Sequence, residues 1–456
     1  MTIRFDDSLP ILADLIADEL GANALESGVI LRDASGRLAF FSGSDLDDAT
    51  LQRLSNLLRE ALGVYARPDR IIAGADDFGA ADILSDNTIL RVDTGKFHVR
   101  LLDRRLAGAD WVRAPVAFAP PPPRFVFASL KGGVGRSTAL SVAAADIASH
   151  GRRVLAIDLD MEAPGLGAML LDPGTLPEFG LLDALVEGNL SPLDEAFLRD
   201  LVGPSGLSGR RGQIDVIPAF GQRSLAHPGD VLAKIARAYA ENIRSDGTLA
   251  TILDQVRSLV DRFSDPTRYD AILVDTRAGL HETTAAAILG LGAEVFLFGL
   301  DEPQTFYGYS ALLAHLARFL DPSQPTPEWL ERLTMVQGKA PIDPEKRDAF
   351  SEKCRILFEE AGLAPKLTRV STTVPLPADP FANVPWKDDD ALDEDPSVDE
   401  SREPRESISI LDDERYRLFE PTRQRDLLSK RVYQSSFGPL LDRINEVFLS
   451  ESGDLN

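Results

Sequence analysis

Residues 125–138 read Phe-Val-Phe-Ala-Ser-Leu-Lys-Gly-Gly-Val-Gly-Arg-Ser-Thr, and no other stretch of the chain restricts the fold as tightly. Its first five residues, all apolar or small, read as a buried strand. Gly132, Gly133 and Gly135 then allow a tight turn in which successive backbone N–H groups converge on one anion. A helix follows, with apolar Leu140, Ala144 and Ile147 at helical spacing and a stop at Gly151. Its N-terminus adds partial positive charge to the same point. Ser137 stands where a phosphate-binding loop offers its hydroxyl to Mg²⁺.

The Walker A pattern G-x-x-x-x-G-K-[ST] is broken twice here, by Leu130 at the first glycine and by Arg136 at the lysine, and an extra lysine, Lys131, opens the loop. The run Lys131-Gly132-Gly133-Val134-Gly135-Arg136-Ser137-Thr138 resembles the deviant Walker A of the ParA/MinD family, K-G-G-x-G-K-[ST]. More narrowly, it resembles a branch in which arginine replaces the second lysine. The resemblance implies an α/β fold with a mostly parallel sheet flanked by helices, and ATP with Mg²⁺ bound by the eight residues of the run.

The 456 residues suffice for two or three domains. A formal net charge of −24 argues against a general affinity for nucleic acid or anionic lipid. Cys354, the one cysteine, excludes an intramolecular disulfide and a cysteine zinc site, and reads as a small buried apolar residue. The N-terminus lacks the basic and apolar regions of a signal peptide, and the longest apolar stretch, residues 288–300, is too short to span a bilayer and carries Glu294. A soluble, cytoplasmic protein is expected.

Ahead of the loop, residues 1–117 read as a separate α+β domain. Helical spacing covers residues 9–20 and 50–62, a hairpin covers 28–41, and two more strands lie within 88–102 around Thr94-Gly95. The composition supports a regulatory or docking domain and a plain structural extension equally. Residues 118–124 hold four consecutive prolines, Pro120 to Pro123, a stiff spacer at the domain boundary. The second domain then runs over 125–456.

Past the loop, a strand at 153–158 ends in Asp158, with Asp160 two residues on. Carboxylates at the C-terminal end of a strand beside a phosphate loop sit where open α/β sheets bind ligands. The family resemblance makes Asp158 part of the Mg²⁺ shell and Asp160 the residue that positions attacking water. Another strand covers 213–217, and residues 230–263 read as a long helix broken near 246–247. Residues 271–275 have the Walker B form, four apolar residues then Asp275, a candidate for the waters of a metal shell. By resemblance Gly279 brings a backbone N–H near a γ-phosphate, and Gln337 or Lys339 contacts the base. His281 reads as a surface residue at a helix start.

Further on, strands are expected at 294–300, 333–336 and 367–370, helices from Pro303 to about residue 320 and over 345–361, and a proline-rich loop over 374–380. Residues 386–408 read as a disordered insert, since ten acids face only Arg402 and Arg405 between Asp388 and Glu406. Phe437, Leu440, Leu441, Ile444, Val447 and Phe448 form an apolar stripe on a last helix. Its neighbours Asp442, Glu446 and Glu451 suit packing against protein rather than membrane.

The resemblance implies an ATPase that dimerises face to face when ATP is bound, with Lys131 reaching the phosphates held by the second copy. Hydrolysis would then time the recruitment or release of a protein partner. Arg136 keeps the lysine's charge in a wider, planar group, so binding should survive and turnover should be slow. A non-hydrolysing nucleotide-bound scaffold and a small-molecule ATP-dependent enzyme are the alternatives.

Overall fold

The computed structural model describes residues 3–208, 211–243, 249–321, 323–363 and 406–453. Two sheets organise it. The first has five strands: β1 (Val29–Arg32), β2 (Leu38–Phe41), β3 (Ile72–Ala73), β4 (Leu90–Asp93) and β5 (His98–Asp103), in the order β3-β2-β1-β5-β4. The expected hairpin is there, with Val29 opposite Phe41. Its turn closes where the Asp33 carboxylate accepts the N–H groups of Ser35 and Arg37, both at 2.9 Å, and Gly36 takes a positive φ of 87°. Helices Phe5–Leu20 and Asp48–Leu62 bury Leu9, Leu12, Ile16, Leu54, Leu58 and Leu62 on this sheet at helical spacing.

The second sheet is built from β6 (Arg124–Ser129), β7 (Arg153–Asp158), β8 (Gly203–Pro204), β9 (Gln213–Ile217), β12 (Ala271–Ala278), β13 (Glu294–Gly299), β14 (Leu333–Ala340) and β15 (Ile408–Leu411). Their order is β15-β14-β13-β6-β12-β7-β9-β8. Every neighbouring pair is parallel except β8 with β9. Strands covered on both faces read as continuous apolar runs, and β6, β12 and β13 do. One face is covered by the loop helix Arg136–Ser149 and the last helix Lys430–Gly453, the other by Ile252–Phe263, Glu282–Gly290 and Pro303–Leu316. The apolar stripe from Phe437 to Phe448 is wholly buried in that first layer. There Tyr433 donates its hydroxyl to Asp146 of the loop helix at 2.7 Å.

The structure departs from the sequence reading in places. Residues 230–263 are not one broken helix but a helix Val231–Ala238, a short antiparallel pair of β10 (Asn242–Ile243) and β11 (Leu249–Ala250), and a new helix from Ile252. Thr251 caps that helix reciprocally with Asp254, whose carboxylate accepts the Thr251 N–H at 3.2 Å. β14 runs four residues beyond Val336 because β15 arrives from about 70 residues later to pair with it. The strand expected at 367–370, the loop at 374–380 and residues 386–405 of the acidic stretch lie outside the described residues. Ile408, at the far end of that stretch, opens β15.

The segment between the sheets is tied down along its length. Gly108 donates its N–H to the Glu282 carboxylate, Asp110 accepts the Leu253 N–H at 2.9 Å, and Val116 and Ala119 donate to Leu289 and Gly292. Pro123, read as part of a spacer, accepts the N–H of Ile272 and so extends the sheet pairing by one carbonyl.

Candidate nucleotide site

β6 is a central strand with β12 and β13 on either side, and its end delivers the glycine loop to the C-terminal edge of the sheet. Gly133 and Gly135 take φ values of 76° and 93°, a region that side chains other than glycine's rarely enter. On the solvent side nothing stands within 4 Å of a Cβ built on Gly132, Gly133 or Gly135. The far side is packed hard. A Cβ on Gly338 would lie 2.1 Å from the Val134 carbonyl, and one on Gly308 would lie 2.4 Å from the Leu130 side chain. Leu130, in the first Walker glycine position, thus seats the loop against the helix Pro303–Leu316.

Register brings the carboxylates together. In the parallel pairing of β7 and β12, Asp158 lies opposite Asp275. Ser137, in the first turn of the loop helix, donates its hydroxyl to Asp275 Oδ2 at 2.5 Å. Arg136 is 9% exposed and its guanidinium points at the same cluster. Nε donates to Asp275 Oδ1, Nη1 donates to Ser129 Oγ at 2.8 Å, and Nη2 lies 3.7 Å from Asp160 Oδ2. Thr138 follows on the helix, half-buried.

Asp158 is fully buried and uses both oxygens on backbone: Oδ1 accepts the Asp160 N–H at 3.0 Å, and Oδ2 accepts those of Gly165 and Leu166 at 3.2 and 3.0 Å. It therefore shapes the turn after β7. Burial, with Asp275 alongside, pushes its carboxyl up to about 7. Burial also raises Asp160, whose Oδ1 accepts the Ala163 N–H at 3.0 Å.

Lys131 stands on the open rim, its Nζ 2.8 Å from Glu302 Oε2. Gly279 has a φ of 100° and donates its N–H to the Ser129 carbonyl at 2.8 Å, which ties the turn after β12 to the foot of the loop. Gln337 is buried in β14, accepting from Ser409 at 3.3 Å, while Lys339 is exposed with a φ of 50°.

The sequence reading did not find a second layer that joins the turns after β7 and β12. Glu162 Oε1 lies 2.9 Å from Arg277 Nη1 and accepts the Tyr239 hydroxyl at 2.9 Å. The Tyr239 ring meets His281 edge-on at 5.1 Å. His281 is half-buried rather than a free surface residue, and burial together with Arg277 lowers its pKa. Tyr239 comes from a distant helical segment, so no local spacing pointed to it.

Among the described residues no group of three or more histidine, cysteine, aspartate or glutamate side chains forms a metal site. The Ser137 hydroxyl beside the Asp275 carboxylate nevertheless suits Mg²⁺ held with nucleotide phosphates, since that ion keeps most of its waters and takes few protein ligands. No helix of the described residues is long and apolar enough to cross a membrane.

No protein-family profile matches the chain, and no curated protein matches it. Solved structures with a similar fold include a ParA family ATPase from Chlorobium tepidum, 19% identical, over 52% of this chain and 81% of that one, with a TM-score of 0.35. Another is the Pyrococcus furiosus cell division ATPase MinD, 18% identical, over 47% and 71%, with a TM-score of 0.31. A third is cobyrinic acid a,c-diamide synthase from Mycobacterium smegmatis with bound ADP and magnesium, 17% identical, over 51% and 81%, with a TM-score of 0.34. Likenesses at this level add nothing to what strand order and loop placement define by themselves. The class is an α/β protein whose mostly parallel sheet carries a glycine loop at its C-terminal edge, with a smaller α+β unit ahead of it.

Proposed function

We propose that this chain binds ATP with Mg²⁺ in the cradle of residues 131–138, hydrolyses it slowly, and pairs with a second copy while the triphosphate is bound. It would thereby act as a timed switch that recruits or releases a protein partner. The observation that supports this most is the open glycine cradle backed by the Ser137–Asp275 pair at 2.5 Å. Backbone N–H groups of residues 132–137 and the helix N-terminus hold the phosphates. Ser137 and Asp275 hold the metal, with Asp158 fixing the turn beside them. Bound there, Mg²⁺ would neutralise charge across the phosphate oxygens.

Lys131, a compact charge on a flexible stem, serves the phosphates of the second copy, and Asp160 orients the attacking water. Gly279 reports the γ-phosphate through its amide once that amide leaves Ser129. Gln337 lines the base side. A net charge of −24 leaves nonspecific nucleic-acid binding outside the reading.

Mass in solution tests it, measured with ATP, ADP and no nucleotide for wild type, Lys131→Ala and Asp160→Ala. A dimer that needs ATP, is lost in Lys131→Ala and persists in Asp160→Ala supports the switch. A constant mass in every state counts against it. The closeness of Arg136 to Asp160 favours a second reading, a nucleotide-bound scaffold that does not hydrolyse. Single-turnover phosphate release separates the two, since the scaffold releases none.

A further inference from the structure

Most P-loops of the K-S/T type aim a lysine into the cradle, whereas here the side chain in that position turns toward the acids behind it. Arg136 bonds Asp275 through Nε and Ser129 through Nη1, and Nη2 lies 3.7 Å from Asp160. The guanidinium spreads its N–H donors over a rigid planar fork, which lets it bond Asp275 and Ser129 while a third nitrogen faces Asp160, and it keeps its charge under all physiological conditions. The other oxygen of Asp275 accepts from Ser137. The carboxylate nearest the phosphate cradle is thus already compensated within the chain.

We propose that Arg136 is a built-in counter-cation for the acidic end of β12, so that this loop takes a nucleoside triphosphate with or without a divalent metal. The inference rests on the nucleotide reading above and deepens it. In a loop that lacks such a group, a triphosphate brought up to bare aspartates meets like charge, and binding depends on a metal to offset it. Here the repulsion at Asp275 is offset before the nucleotide arrives. Metal dependence is left to turnover, and affinity is separated from it.

Equilibrium binding of a fluorescent ATP analogue to the full chain tests this, in excess magnesium and in excess EDTA at matched ionic strength. Wild-type affinity should change by less than about threefold on chelation. Arg136→Lys, shown to be folded by circular dichroism, should bind at least about tenfold more weakly in EDTA than in magnesium. A tenfold or greater loss for wild type, roughly that of a metal-dependent site, overturns the inference and leaves the nucleotide reading intact. An Arg136→Lys variant as indifferent to metal as wild type overturns the assignment to Arg136. No binding by wild type in either buffer overturns the nucleotide reading itself.

Discussion

The ammonium of Lys131 is held 2.8 Å from the carboxylate of Glu302 in its own chain, on the rim of the cradle, with 44% and 42% of the two side chains exposed. A lysine proposed to serve a second copy must first leave this pairing. Exposed pairs of this kind are worth only about 0.2–1 kcal/mol, so the restraint is real but small. Glu302→Gln should therefore tighten the ATP-dependent dimer by about two- to fivefold in sedimentation equilibrium. An unchanged or weaker dimer would show that the pair restrains nothing.

Gly338 matters for what it leaves room for. A Cβ there would lie 2.1 Å from the Val134 carbonyl, closer than atoms can approach, so Gly338→Ala must push the glycine loop off its seat. The expected result is a loss of ATP affinity of at least about tenfold, because cradle amides lose their common focus. Titration calorimetry reads this directly, and affinity equal to wild type refutes it.

Glu294 opens β13 and is buried against Arg443, with its Oε1 2.9 Å from Nη2. Burial pushes its carboxyl up to about 7 from an ordinary 4.5 despite that guanidinium. The folded state therefore holds this proton more tightly than the unfolded chain does. Its contribution to stability is greatest below about 4.5 and declines as pH rises toward 7. Glu294→Gln removes the decline. Urea unfolding at about pH 5 and about pH 8 should show the variant gaining on wild type with rising pH, by about 1.4 kcal/mol for each unit of displacement. A difference that stays constant with pH contradicts it.

The hydroxyl of Tyr433 fastens the last helix to the loop helix through Asp146, and both residues are buried. Tyr433→Phe leaves that carboxylate oxygen without its donor, at a cost of about 1–3 kcal/mol. Chemical denaturation measures it. A change indistinguishable from zero would show that the bond carries no net stability.

The sheet and its loop could be read from the sequence because each depends on local pattern. Apolar runs ending in Asp158 and Asp275, and glycines spaced for a turn, are properties of short windows. What escaped depended on distance along the chain. β15 pairs with β14 from far downstream, and Tyr239 reaches Glu162 from a segment some 77 residues away in the chain. Thr251 and Asp254 form a capping pair that sits in the sequence, yet the break was placed at 246–247, a few residues ahead of the helix start that this pair marks. At the site, the identity of Arg136 could be read, but not that its guanidinium turns inward, because that direction is set by Ser129 and Asp275 on two neighbouring strands.

The bond between Gly108 and Glu282 has a mechanical result. Glu282 begins the helix that follows the Gly279 turn, and its carboxylate grips the amide of Gly108 in the strap running back to the first sheet. Any shift of that helix would drag the strap or break its hold. The first sheet is thus leashed to the turn beside the glycine loop.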